Sequence, residues 1–144
     1  NTVGTNIITG ITPGMISITP DGKLAYVANL GSDTVSVINI ATNTVTTTIA
    51  LPAGSGPYGS SILPNGKTLY VANYNNSTVS VIDIATNSIV DTLFLTPNSL
   101  PFWAASTPDG KTVYVISEAT DDVTPIDVVT NTVGPSIAQI MGDI

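Results

Sequence analysis

The chain contains no cysteine, no histidine and no arginine. Without cysteine there is no disulfide and no thiol nucleophile. Without Cys or His, the usual zinc sites, His-ligated haem and a Ser-His-Asp triad are excluded. A metal would have to be one that takes oxygen ligands, such as calcium. Charged residues make up 9% of the chain, against about a quarter in an average domain. Three Lys stand against ten acids, for a net charge of −7. So few cations, none clustered, argue against phosphate backbones and anionic lipid, and no nucleic-acid partner is expected. No apolar run approaches the roughly 18 residues of a membrane span, so membrane insertion is not expected either. Residue 1 is Asn rather than Met and no signal peptide is visible, which reads as a processed or excised piece.

What is present is apolar and hydroxylated. Hydrophobic residues reach 42% of 144, enough for a sizeable core. Polarity comes from Thr, Ser and Asn rather than from charge. That acidic, lysine-poor balance leans towards an extracellular or cell-surface setting. Asn75-Asn76-Ser77-Thr78 holds two overlapping N-x-S/T acceptors, usable only by a secreting organism that glycosylates.

The chain also repeats itself. Pro20-Asp21-Gly22-Lys23 returns as Pro64-Asn65-Gly66-Lys67 and as Pro108-Asp109-Gly110-Lys111, a step of 44 residues each time. Tyr26, Tyr70 and Tyr114 follow the same step, as do Thr42-Asn43, Thr86-Asn87 and Thr130-Asn131. Within a unit, "GMISITP" leads through Asp21-Gly22 to "KLAYVAN", a variable loop leads to "TVSVINI", and "ATN" turns into "TVTTTIAL". Asp-Gly and Asn-Gly are strong hairpin signals because such turns need positive φ. Val, Ile, Thr and Tyr dominate the four segments, as strands require, and no helical period appears. Val35 and Val37 lie on one face of the third strand and Ile38 and Ile40 on the other, so this strand is expected to be buried on both faces. Four-stranded antiparallel units of this length, stacked face to face, predict β-propeller blades.

The stretch "PDGK…YVAN…TVSVINIATNTV" resembles the YVTN-type β-propeller repeat of archaeal and bacterial surface-layer-like and secreted proteins, over nearly the whole chain. The third unit departs from it: "YVIS" replaces "YVAN", and Pro125 stands where Val37 and Val81 stand. A proline cannot donate to a ladder, which puts interior pairing near Pro125 in question. The resemblance implies a non-enzymatic extracellular module, a structural scaffold or a protein- or glycan-interaction surface, or a building block of an envelope layer or fibre. The alternative is a part of a secreted propeller enzyme, since similar repeats occur in lactonase-like hydrolases and redox enzymes. Its catalytic residues would then lie outside this segment.

The divisions follow the repeat: 1–10 an outer strand of a preceding blade, 11–51 blade 1, 52–96 blade 2 and 97–144 blade 3. Asn1-Thr2-Val3-Gly4 matches Asn131-Thr132-Val133-Gly134, which is what marks the first segment as a fourth strand. Three blades form an open arc, since propellers typically close with four or more. Its terminal faces are expected to be covered by further blades of the same protein or by further copies of the chain, and residues 1–10 are expected to be able to join an edge of another chain.

Function would sit where the copies differ. The "PDGK" and "ATN" turns share one side and are nearly uniform. "LGSD", "YNNS" and "EATDD" share the other with the variable loops that precede each unit. That side carries Tyr58, Tyr74, Phe102 and Trp103, candidate ligand-binding aromatics suited to a sugar ring or a protein surface. The competing expectation is that Phe102 and Trp103 pack beneath the loops or between blades. Glu118, Asp121 and Asp122 form a weak calcium candidate, three carboxylates where 6–8 oxygens are needed. Asp33, Ser77 and Asp121 share one repeat position, where a short polar side chain caps a turn. No catalytic residue is identified and no cofactor other than calcium is suggested.

Overall fold

The computed structural model describes residues 4 and 6–138. Among them every regular element is a strand, and no helix is long and apolar enough to cross a membrane. The first four strands are β1 (Pro13–Ile18), β2 (Leu24–Asn29), β3 (Thr34–Asn39) and β4 (Thr44–Ala50). The next four are β5 (Pro57–Ile62), β6 (Thr68–Asn73), β7 (Thr78–Asp83) and β8 (Ser88–Phe94). The last set is β9 (Pro101–Ser106), β10 (Thr112–Ser117), β11 (Asp122–Asp127), β12 (Thr132–Val133) and β13 (Ile137–Ala138). Each set forms its own antiparallel sheet in chain order, with β13 pairing β11 beyond β12. These are three blades of an all-β propeller.

Turn chemistry explains why the chain reverses where it does. Gly22, Gly66 and Gly110 take φ near +70 at the tip of each first hairpin. Asn43, Asn87 and Asn131 take φ of 54, 51 and 51 in the turn after each third strand, a conformation that Asn tolerates better than other non-Gly residues. Asp21 and Asp109 each accept the backbone N–H two residues on at 3.1 Å, and Asn65 does the same at 2.9 Å. Carboxylate and amide are interchangeable there because only an acceptor is needed. Asp83 and Asp127 likewise accept both the N–H and the hydroxyl of Thr86 and Thr130.

The blades pack face to face as the third-strand pattern predicts. Val35 and Val37 join Tyr26, Ala28 and Ile49 against Leu69, Val71 and Ile82 of the next blade. Ile38 and Ile40 turn the other way, with Ala25, Val27 and Ile7. Ile7 is the repeat equivalent of Leu51, which packs in the same way onto blade 2. Residues 6–9 themselves take no strand.

The inner strands β1, β5 and β9 run side by side, with β5 between the other two. The Ser17 and Ser60 hydroxyls meet at 2.8 Å, and Ser61 Oγ accepts the Ser106 N–H at 2.9 Å. At Gly59 the approach is closest. A Cβ there would fall against the carbonyl oxygen of Phe102 and 2.6 Å from Trp103 Cα.

Pro125 acts elsewhere than the sequence suggests. All six β10–β11 register pairs are kept, from Thr112↔Asp127 to Ser117↔Asp122, including Tyr114↔Pro125. The Pro125 carbonyl accepts the Gly134 N–H at 2.8 Å, so its backbone polar edge faces outward and the missing donor falls on the outer side. The interior pairing is therefore intact, and the break lies between β12 and β13. There Pro135 holds the repeat position of Thr47, the residue paired with Val37 in blade 1.

Two substitutions test this packing by urea denaturation. Gly59→Ala is expected to destabilise by about 3 kcal/mol, because rigid backbone rather than a side chain blocks the added carbon. Tyr70→Phe, which removes a buried hydroxyl donating to Asn131 Oδ1 at 2.7 Å, is expected to cost about 1 kcal/mol.

Candidate functional site

Three of the four candidate aromatics converge. Tyr58, Tyr74 and Phe102 line an open cleft of about 270 Å³ together with Leu30 and Glu118. Only two repeat positions build it. Gly14, Tyr58 and Phe102 are one series, and Leu30, Tyr74 and Glu118 are the other, each spaced by 44 residues. The residues just before the second series (Asn29, Asn73 and Ser117) end the second strands and are fully buried. The chain thus changes from a fold position to a cleft-facing position in one step.

Local backbone irregularity aims the first series. Between Pro57↔Asn73 and Ser60↔Val71 the register slips by one residue, and likewise between Ser117↔Pro101 and Ile116↔Trp103. These bulges place Tyr58 and Phe102 at the mouth of the inner strands rather than on a blade face, a common use of a bulge. Blade 1 has Gly14 at this position, where a Cβ would lie 2.9 Å from the Tyr58 ring. The glycine leaves room for that ring. The second series is fixed by matching bonds: the Leu30, Tyr74 and Glu118 amides donate to Thr12, Gly56 and Leu100 carbonyls at 3.0, 2.9 and 3.1 Å.

The cleft has one charge. Tyr74 Oη donates to Glu118 Oε2 at 2.9 Å across the gap between blades. That bond to the carboxylate, with a smaller contribution from burial, pushes the Tyr74 phenol above its ordinary value of 10.0. The phenol therefore stays protonated at neutral pH, and among the described residues nothing donates to the other oxygen of Glu118. Leu30 was not foreseen from the sequence. Aligning the copies by their period would have found it, because position 30 varies beside an almost unvarying neighbour.

Trp103 lies outside the cleft. It sits on β9 opposite Ile116, half-exposed on the outward face of blade 3, neither under a loop nor between blades of this chain. The calcium candidates do not converge on one ion, and among the described residues no group of three acidic side chains could hold a metal. Glu118 turns to the Tyr74 hydroxyl, Asp121 is exposed in a left-handed turn at φ 49, and Asp122 is buried opposite Ser117. The three line one open depression with Phe102 and Val123, but with Glu118 bonded to Tyr74 and Asp122 buried they fall short of the 6–8 oxygens that calcium takes.

The shared turn position behaves as a cap in two blades. Asp33 accepts the Gly54 N–H at 2.7 Å and the Gly56 N–H at 2.8 Å, and Ser77 Oγ accepts the Ser99 N–H at 3.1 Å. Asp33 is thereby committed to holding the loop that leads into β5.

The family model described as lactonase, 7-bladed beta-propeller, matches residues 9–99. Among solved structures, the hydrazine synthase of Kuenenia stuttgartiensis superposes with a TM-score of 0.84 at 27% identity, over 97% of this chain and 40% of that one. A functionally unknown protein from Desulfotomaculum acetoxidans DSM 771 superposes with a TM-score of 0.73 at 22% identity, over 89% of this chain and 43% of that one. The second likeness concerns the fold alone. The chain spans about two fifths of the length of each. No curated protein matches the chain.

Acid should loosen the fold before alkali does. Donation by Gly56 and Gly54 holds Asp33 below the ordinary carboxylate value of 3.8. Asp21, Asp83, Asp109 and Asp127 are lowered in the same way by their Thr and backbone donors. A carboxylate depressed in the folded state stabilises fully above its unfolded value and loses that contribution as pH falls through the folded value. The thermal midpoint is therefore expected to be level from pH 8 to 5 and to fall below pH 4. Asp33→Asn is expected to lower the plateau by about 1 kcal/mol or less and to shallow the acid limb.

Proposed function

The chain belongs to the seven-bladed lactonase β-propeller family, and we propose that it is a recognition module whose varied loop side binds a small hydroxylated ring, a sugar or a sugar-derived lactone. The cleft of Tyr58, Tyr74, Phe102, Leu30 and Glu118 carries this reading. Aromatic faces stack on the ring with little loss of conformational entropy, and Glu118 Oε1 accepts its hydroxyls. Contributions from all three blades make the cleft a property of the assembled array, because no single blade holds more than two of its five residues. The YVTN-type resemblance supports an extracellular or cell-surface setting for such a module, with glycans or proteins as its partners.

The family match favours one competing reading, hydrolysis of a cyclic ester. In that case the cleft would orient the ring. A carboxylate at Glu118 is the one group in it able to activate water, and Tyr74 already engages that carboxylate.

Amide NMR shifts on titration with monosaccharides and the matching lactones separate these readings. Shifts are expected at Leu30, Tyr58, Tyr74, Phe102 and Glu118. Phe102→Ala is expected to weaken binding about tenfold while leaving the thermal midpoint nearly unchanged. Shifts confined to the Pro20–Lys23 side, or none with any ligand, would sink the proposal. Opening of the lactone by the chain itself would favour the hydrolase.

A further inference from the structure

Asn75-Asn76-Ser77-Thr78 offers two overlapping N-x-S/T acceptors, and the cleft draws on neither asparagine. Both are exposed, but the fold treats them differently. The Asn75 amide lies against Gly56, where a Cβ would collide with Asn75 Nδ2. A sugar on that nitrogen would have to lift the side chain off the loop that leads into β5. The hydroxyl of the same triplet, on Ser77, is buried and already accepts the Ser99 N–H at 3.1 Å.

Asn76 is held in the opposite sense. Thr78 Oγ1 donates to Asn76 Oδ1 at 2.7 Å, tying the carbonyl arm of the amide to the third residue of its own triplet at the start of β7. Nδ2, the atom that carries an N-linked sugar, makes one long contact, to Ser55 Oγ at 3.5 Å. That contact needs only one of its two hydrogens. In blade 1, Ser32 makes the matching contact with Thr34 at 2.9 Å. The fold therefore asks only for a short polar side chain at this position, and an amide exceeds what it needs.

Beside Asn76 is an open depression of about 280 Å³, lined also by Phe94, Pro97 and Asn98. Phe94 ends β8 directly opposite Thr78 in the register. Blade 2 has a blade on each side, yet Phe94 is 77% exposed, more than any other aromatic ring among the described residues. The positions of Asn76 and Phe94 hold Ser32 and Ala50 in blade 1, and Thr120 and Ala138 in blade 3. The acceptor and the ring thus enter the array together, in the one blade where each can serve the other. The C–H face of a pyranose stacks on an aromatic ring, and the Asn98 amide on the rim suits its hydroxyls.

We propose that Asn76, and not Asn75, is the N-glycan attachment site of this chain, with the first sugar lying across Phe94. The proposal rests on the extracellular or cell-surface setting given above. The donor is a lipid-phosphate-linked glycan of the exporting cell. A bond forms from Nδ2 to its anomeric carbon, the bond from that carbon to the phosphate oxygen breaks, Nδ2 gives up one proton, and the lipid phosphate leaves with the electron pair.

The test is secretion of the 144-residue chain from a host that N-glycosylates its exported proteins. The host supplies the setting, so a bare chain there counts against the site and not against the localisation, which fractionation of the native cells tests on its own. Trypsin cuts only after Lys23, Lys67 and Lys111, so both asparagines fall in the peptide from Thr68 to Lys111, and electron-transfer fragmentation assigns the sugar to one of them. It is expected on Asn76. Asn75→Gln is expected to keep it. Asn76→Gln is expected to lose it, although Asn75 and Ser77 still form an acceptor triplet. The glycosylated chain is expected to melt about 3 °C above the same chain from a host that does not glycosylate, and Phe94→Ala is expected to abolish that difference. A bare peptide, a sugar on Asn75, or a difference in midpoint that is absent or survives Phe94→Ala would overturn the proposal.

Discussion

Every other feature of this molecule depends on one blade lying flat against the next. A four-stranded sheet apolar on both faces has no stable existence in water, so each blade needs a neighbour. The boundary closes through three coupled contacts. Valines and isoleucines of the middle strands fill its centre. Backbone meets backbone at Gly59 along the inner strands. A tyrosine hydroxyl finds an asparagine fixed in the next blade's turn. The last is directional: apolar packing alone would tolerate a small slide of one sheet over another, whereas a buried phenol with one acceptor would lose its partner on sliding.

That rigidity is what allows a cleft to be assembled from strand ends. The cleft residues come from the mouths of inner strands and the ends of second strands, where the repeat gives way to loop. Their spacing is set by the distance between blades rather than by any loop's own preference. Blade 1 supplies glycine and leucine, blade 2 two tyrosines, and blade 3 phenylalanine and glutamate. Each copy thus uses the same two positions differently, and the asymmetry of the cleft is the sum of those differences.

The strands, their order and the face each residue takes were legible because they are written three times with a fixed period. Val35 and Val37 against Ile38 and Ile40 is a pattern a single strand can show, and the packing follows it. The grouping of Tyr58, Tyr74 and Phe102 on one side was legible from loop connectivity. Their convergence with Leu30 and Glu118 was not, because it depends on bulges that shift the register of β5 and β9 by one residue, and no local residue pattern encodes that slip. Trp103 went astray for the same reason: the slip that turns Phe102 to the mouth leaves its neighbour on the blade face. The carboxylates of "EATDD" are close in sequence, but a tight turn sends adjacent side chains in different directions.

Blade 3 shows where such an array can absorb change. Two of its departures from the repeat, Pro125 and Pro135, fall on the outer side of β11, and the six pairs linking β11 to β10 survive. Proline in place of valine removes a donor only from the edge it faces, and here that edge is the outermost strand. The same substitution one residue along would have faced inward, because the pointing of N–H groups alternates along an antiparallel strand. It would have broken the ladder that holds Glu118 and, through the bulge, Phe102. Pairing near the axis therefore had to persist for the cleft to exist, while the periphery could lose regular pairing at little cost to it.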